Sequence, residues 1–187
     1  MLPSIVSLSW RQLGETSSII PAVFSFIVAV SIPAVAFFAM YRKNKIVAAL
    51  LFLLLVTNQG FAGLGSWQYA DTFVGLFLLL SIIFLYMWEE SKDKHQLSFM
   101  IGFFASNCGW IKNEGILLFI VISVFFVIKN SKYLKNIASY LAGAFIPLIM
   151  ILSYKFLVTP PNDFLSQLKL GEMFERLTEL QRYDKVA

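Results

Sequence analysis

Cysteine and histidine are nearly absent from this chain. Cys108 is the sole cysteine and His95 the sole histidine in 187 residues. A single cysteine excludes an internal disulfide and argues against a thiolate metal site. A single histidine excludes most histidine-based metal and catalytic clusters, and no Ser-His-Asp arrangement, phosphate-binding glycine loop or zinc spacing is present. Charge is also scarce. Charged residues make up 14% of the sequence, against about 25% in soluble globular proteins. What fills the chain is apolar: 58% hydrophobic residues and a mean hydropathy of +0.74. A soluble core of this size cannot hide so much apolar surface, so the composition points to an all-α membrane protein forming a single transmembrane domain over residues 1–187. The basic residues occur in short clusters between apolar runs. That is a topology signal and not a nucleic-acid surface.

A helix needs about 20 apolar residues to cross a hydrocarbon core of about 30 Å. Six segments qualify as candidates, so about six transmembrane helices are expected. They are Ile19–Met40, a run beginning at Ile46 that must continue through Thr57 and Asn58, Phe73–Trp88 reaching back to Tyr69, Leu97–Ile111, Gly115–Ile128 and Ile137–Tyr154. The run Ile19–Met40 is too long for the apolar part of a signal peptide. Residues 1–18 and 157–187 are expected to form interfacial amphipathic helices at the two ends. Leu2, Ile5, Val6, Trp10 and Leu13 share one helical side, and Met173, Phe174, Leu177 and Leu180 repeat that spacing.

The loops orient the chain. Arg42, Lys43, Lys45, Lys92, Lys94, Lys129, Lys132 and Lys135 lie in three alternate connections, eight basic residues in all. The intervening loops, 58–72 and 112–114, carry Lys112 alone. The positive-inside rule places the eight in the cytoplasm, with the N- and C-termini outward. His95 falls among these charges and reads as a solvated loop residue.

Ionisable groups near membrane depth call for a functional hypothesis. Two stretches on the expected outer face have them. Trp67-Gln68-Tyr69-Ala70-Asp71-Thr72 opens the third span. Asp71 could cap a helix N-terminus, or face an outer cavity and orient a sugar, bind a divalent cation or assist a base. Trp67 and Tyr69 suit an interfacial aromatic belt. The second stretch is Trp110-Ile111-Lys112-Asn113-Glu114-Gly115. It joins two spans of 15 and 14 apolar residues, so the turn should sit low in the outer leaflet. Lys112 there could meet a lipid phosphate, or simply neutralise Glu114 in a tight turn closed by Gly115. Asn107 and Cys108, just before it, read as helix-packing residues.

These motifs carry a resemblance. The chain resembles the GT-C type of membrane glycosyltransferases that use polyisoprenyl-phosphate-linked sugars, in the bacterial branch of protein O-mannosyltransferases and aminoarabinose transferases. Leu2-Pro3-Ser4, Trp10-Arg11 and Leu13-Gly14-Glu15 look like the helix ending that family's first outer loop. Tyr69-Ala70-Asp71 looks like its second acidic position. Gly102 followed by Lys112-Asn113-Glu114-Gly115 looks like its helical hairpin with a lysine turn. Asn162-Asp163-Phe164 looks like its later outer segment. The resemblance implies inverting transfer of a sugar to an acceptor on the outer face of a bacterial inner membrane, within the cell envelope. Lys112, with Asn113 and Tyr69, would bind the substrate and its lipid phosphate. Asp71 would be the second acid, and Glu114 would position Lys112 or touch the sugar. A divalent cation near Asp71 is the one cofactor this reading allows. Nucleic acid is not an expected partner; membrane lipid is. The family's main catalytic acid lies upstream of the part that matches, and Glu15 corresponds to a helix end, so the resemblance implies an internal fragment that is inactive alone. A transporter or channel subunit and a non-catalytic membrane assembly protein are the rival expectations.

Overall fold

A computed structural model describes residues 2–14, 16–66 and 70–154. Eight helices lie within them: α1 (Leu2–Leu13), α2 (Ile19–Tyr41), α3 (Lys45–Thr57), α4 (Gln59–Ser66), α5 (Ala70–Glu90), α6 (Lys94–Ile111), α7 (Asn113–Lys129) and α8 (Leu134–Ser153). No strand occurs among the described residues. The expected outer tail, 157–187, and Tyr69 fall outside them.

Local chemistry sets the helix ends. Gly14 stops α1 by adopting φ +73°, a left-handed conformation that costs glycine little, and its N–H donates to the Trp10 carbonyl at 2.9 Å. The Trp10 indole then donates to the Ser17 carbonyl at 2.7 Å, fixing the link into α2. The Asn44 side chain caps α3 by accepting from the N–H groups of Ile46 and Val47. Helices α2 and α8 run unbroken through Pro33 and Pro147.

Three helices, and not six, are long and apolar enough to cross a membrane: α2, α5 and α8. At 1.5 Å per residue they measure about 35, 31 and 30 Å, matching the hydrocarbon thickness. The other expected spans fall short for separate reasons. The run from Ile46 does not continue through Asn58: that residue is extended (φ −73°, ψ 110°), and its side chain caps α4 through the N–H of Phe61 at 3.0 Å. This leaves α3 with 13 residues. Helix α6 has the length, 18 residues, but starts Lys94-His95-Gln96 and contains Ser98, Ser106 and Asn107. Helix α7 has 17 residues. The helix positions themselves agree with the apolar runs.

Packing within residues 1–151 is inverted relative to a soluble protein. Small and polar groups are buried, among them Ser25, Ala48, Ser81, Ser98, Ala105, Ser106 and Ala144. Large apolar side chains face out: Phe26, Phe38, Ile46 and Ile128 are about 70% exposed. Such a surface would aggregate in water, but it suits lipid, where helices associate through small residues and close backbone approach. Gly102 of α6 and Gly143 of α8 make the closest crossing. A Cβ on Gly102 would strike the Tyr140 carbonyl, and one on Gly143 would strike the Phe99 carbonyl. Tyr140, 1% exposed, stacks on Phe126 at 4.6 Å, and its hydroxyl bonds Ser123 at 2.7 Å. Around them Trp88, Ile101, Ala105 and Ile122 complete the apolar cluster.

Ion pairs define two ends. Lys43 after α2 reaches Glu90 at the end of α5 at 2.9 Å, and Lys129 at the end of α7 reaches Glu89 at 2.8 Å. The C-terminal ends of α2, α5 and α7 therefore lie together, at the end carrying the three lysine-rich connections. Lys43 also sits over the Tyr86 ring, 3.8 Å from its centroid.

Candidate functional site

The opposite end is built around the α6–α7 turn. Helix α6 stops at Ile111, Lys112 is extended (φ −147°, ψ 147°), and α7 starts at Asn113. The turn is tight because Gly115 lies against α6: a Cβ there would run into the Cys108 carbonyl. The Gly115 N–H donates to the Lys112 carbonyl at 3.0 Å. A single extended residue therefore joins two long helices, and its side chain leaves the hairpin at its tip.

That side chain meets α5. Lys112 Nζ donates to Asp71 Oδ1 at 2.8 Å, and Glu114 Oε2 lies 3.9 Å away, outside hydrogen-bond range. Asp71 is in the first turn of α5. The two stretches that the sequence left as separate candidates thus form one cluster. Lys112 keeps its near neighbour Glu114 as an ion pair at 3.9 Å, while its hydrogen bond goes to Asp71, 41 positions away. All three groups remain accessible: the side chains of Lys112, Asp71 and Glu114 are 40%, 56% and 74% exposed. The Asp71 hydrogen bond, its charge and the charge of Glu114 hold the Lys112 pKa above its ordinary 10.5, so it is an ammonium across the physiological range. Asn113 is exposed beside it.

The formal charge of the three groups is −1, and this limits what they can hold. One of the three ammonium donors is committed to Asp71, leaving two for another oxygen. Helix α7 starts without a side-chain cap at Lys112, and Glu114 in its first turn offsets the dipole there. Among the described residues no group of three metal-ligating His, Cys, Asp or Glu side chains occurs, and one oxygen of Asp71 is occupied by the lysine.

No charged residue lies within 72–88, 96–111, 115–128 or 136–153. The hydroxyls of Ser81, Ser98 and Ser123 bond carbonyls four residues back in their own helices, as packing residues do. Asn107 behaves alike, donating to Phe103 at 2.8 Å, and Cys108 is fully buried. A lysine-lined groove lies at the far end, between the α5–α6 and α7–α8 connections; the sequence shows the lysines clustered but not their convergence.

Compared with known proteins, the chain matches no family model, no curated protein and no solved structure.

Proposed function

We propose that the chain is the membrane-embedded part of a glycosyltransferase that moves a sugar from a polyisoprenyl-phosphate carrier to an acceptor, with Lys112 contacting the carrier phosphate. The supporting observation is Lys112 itself: an accessible ammonium at the tip of a hairpin, hydrogen-bonded to Asp71 and ion-paired with Glu114, with two donors not committed to a hydrogen bond. The turn is at the end away from the eight basic residues, which is the outer end if the positive-inside rule holds. Crossings by α2, α5 and α8, with α3 and α4 returning the chain as a broken pair and α6–α7 as a hairpin, would keep both termini outward in a bacterial inner membrane.

In this reading the acceptor oxygen attacks the anomeric carbon and the bond to phosphate breaks. The departing phosphate carries away the electron pair, and a carboxylate takes the acceptor proton. Lys112 offsets charge on the leaving phosphate, where fixed donors act most strongly. Asp71 holds the ammonium and orients the acceptor. Glu114, the most exposed of the three, positions Lys112 or touches the sugar.

Binding tests this before catalysis does. The purified chain should retain a polyisoprenyl phosphate over the corresponding polyisoprenol. Lys112→Met should remove that preference, on the order of tenfold to a hundredfold for a hydrogen bond to a charged group. Equal retention of phosphate and alcohol by the unmodified chain would remove the basis for the proposal.

A further inference from the structure

At the lysine-rich end, the connection between α5 and α6 and the connection between α7 and α8 enclose an open groove of about 470 Å³. Lys92 and Lys94 line it from one connection, Lys132 and Lys135 from the other. Of the nearby acids, Asp93 sits between Lys92 and Lys94 and forms no ion pair among the described residues, so the four groove lysines and this carboxylate carry a net charge of +3. Glu89 pairs with Lys129 and Glu90 with Lys43, while no carboxylate lies within 4 Å of Lys92, Lys132 or Lys135 among the described residues. Lys94 rests over the Trp88 ring at 4.4 Å, so its charge has an aromatic partner and no counter-ion.

Two further features favour an anion here. Helices α6 and α8 both begin at the groove, directing their positive dipole ends toward it. The N-cap residue of α6, Asp93, makes no side-chain cap hydrogen bond, so its carboxylate leaves the first N–H groups of α6 uncapped. The wall is also fixed. Buried Asn136 donates to buried Asn130 at 3.0 Å, and Asn130 donates to the Phe126 carbonyl at 3.0 Å. Ser139 of α8 donates to the His95 carbonyl of α6 at 2.7 Å, tying the two helix starts together.

Apolar groups select among anions. Tyr133 and Leu134 line the same groove and are 63% and 76% exposed. A free phosphate has no use for them, whereas an acyl chain does.

We infer that this groove binds the phosphate headgroup of an anionic phospholipid, with the four lysines on the phosphate and Tyr133 and Leu134 against the upper acyl chain. The inference is independent of sugar transfer at the other end. It also goes beyond the topological role of lysines. Topology needs positive charge in a loop; it does not need lysines from two connections to face one groove.

The test compares charge removed inside the groove with the same charge removed outside it. The full chain, purified in a mild detergent, is equilibrated with phosphatidylglycerol or phosphatidylcholine, and retained lipid is counted by native mass spectrometry. The unmodified chain should retain phosphatidylglycerol preferentially. K132Q/K135Q should weaken that retention on the order of tenfold or more. R42Q/K45Q, at the same end but outside the groove, should leave it within about twofold. K92Q/K94Q probes the other wall and should reproduce the first pair, which covers the case in which K132Q/K135Q folds poorly by circular dichroism. Equal losses from the inside and outside pairs would mean bulk charge and no site. Equal retention of phosphatidylcholine, or displacement of the lipid by millimolar inorganic phosphate, would likewise overturn the proposal.

Discussion

Lys112 and Asp71 are 41 positions apart in the chain and 2.8 Å apart in space. This one bond joins the tip of the α6–α7 hairpin to the start of α5, and it turns two separate polar stretches into a single accessible cluster. Whether the cluster only fastens two helices or also receives a ligand is the question on which function turns.

Titration of Lys112 gives a first prediction. Its pKa is raised in the folded protein. The folded state therefore holds the proton more tightly than the unfolded state. The resulting stability is fully present below the unfolded value of about 10.5 and is lost as pH rises through the higher folded value. The melting-temperature difference between the unmodified chain and Lys112→Met should be constant from neutral pH to about pH 10 and shrink above it. A difference that grows above pH 10.5 would contradict the sign.

The sequence made much of this legible. Apolar runs located the helices because charge is confined to helix ends. Gly115 marked a turn that the backbone uses. The span count failed because runs of apolar residues do not show where a helix stops. Asn58 ended α3 by capping the next helix, and the polar first turn of α6 made that helix a poor span. The pairing of Lys112 was illegible for another reason. Sequence proximity favoured Glu114, and only the packing of α5 against the hairpin brings Asp71 closer. The Gly102–Gly143 crossing had no signal beyond two isolated glycines.

Those glycines supply a second prediction. Gly143→Ala places a Cβ against the Phe99 carbonyl, so α8 must move away from α6, at a cost of about 1–3 kcal/mol. Gly75→Ala meets nothing within 4 Å and should be neutral or stabilising by up to about 1 kcal/mol through helix propensity. Detergent-solubilised melting of both variants checks the contrast. Equal effects would mean that α6 and α8 do not cross so closely.

Sidedness is a third prediction. In a Cys108→Ser background, cysteines at Asn44, Ser91 and Ser131 should respond alike, because ion pairs gather their connections at one end. They should be shielded from an impermeant thiol reagent in intact cells, and a cysteine at Asn113 should react. Reaction of the first three and shielding of Asn113 would invert the orientation and place the Lys112 cluster in the cytoplasm.

The central claim is that Lys112 serves a phosphate and not only Asp71, and a double-mutant cycle tests it most directly. Asp71→Asn, Lys112→Met and the double variant would be compared with the unmodified chain for polyisoprenyl-phosphate binding and for melting temperature. Asp71→Asn removes the competing carboxylate and frees an ammonium donor. The account predicts that it binds the phosphate more tightly while melting slightly lower, and that Lys112→Met loses binding whether or not Asp71 is present. Unchanged phosphate binding in all three variants, with the double variant regaining the stability lost by the singles, would contradict it and leave Lys112 as a strut between α5 and the hairpin.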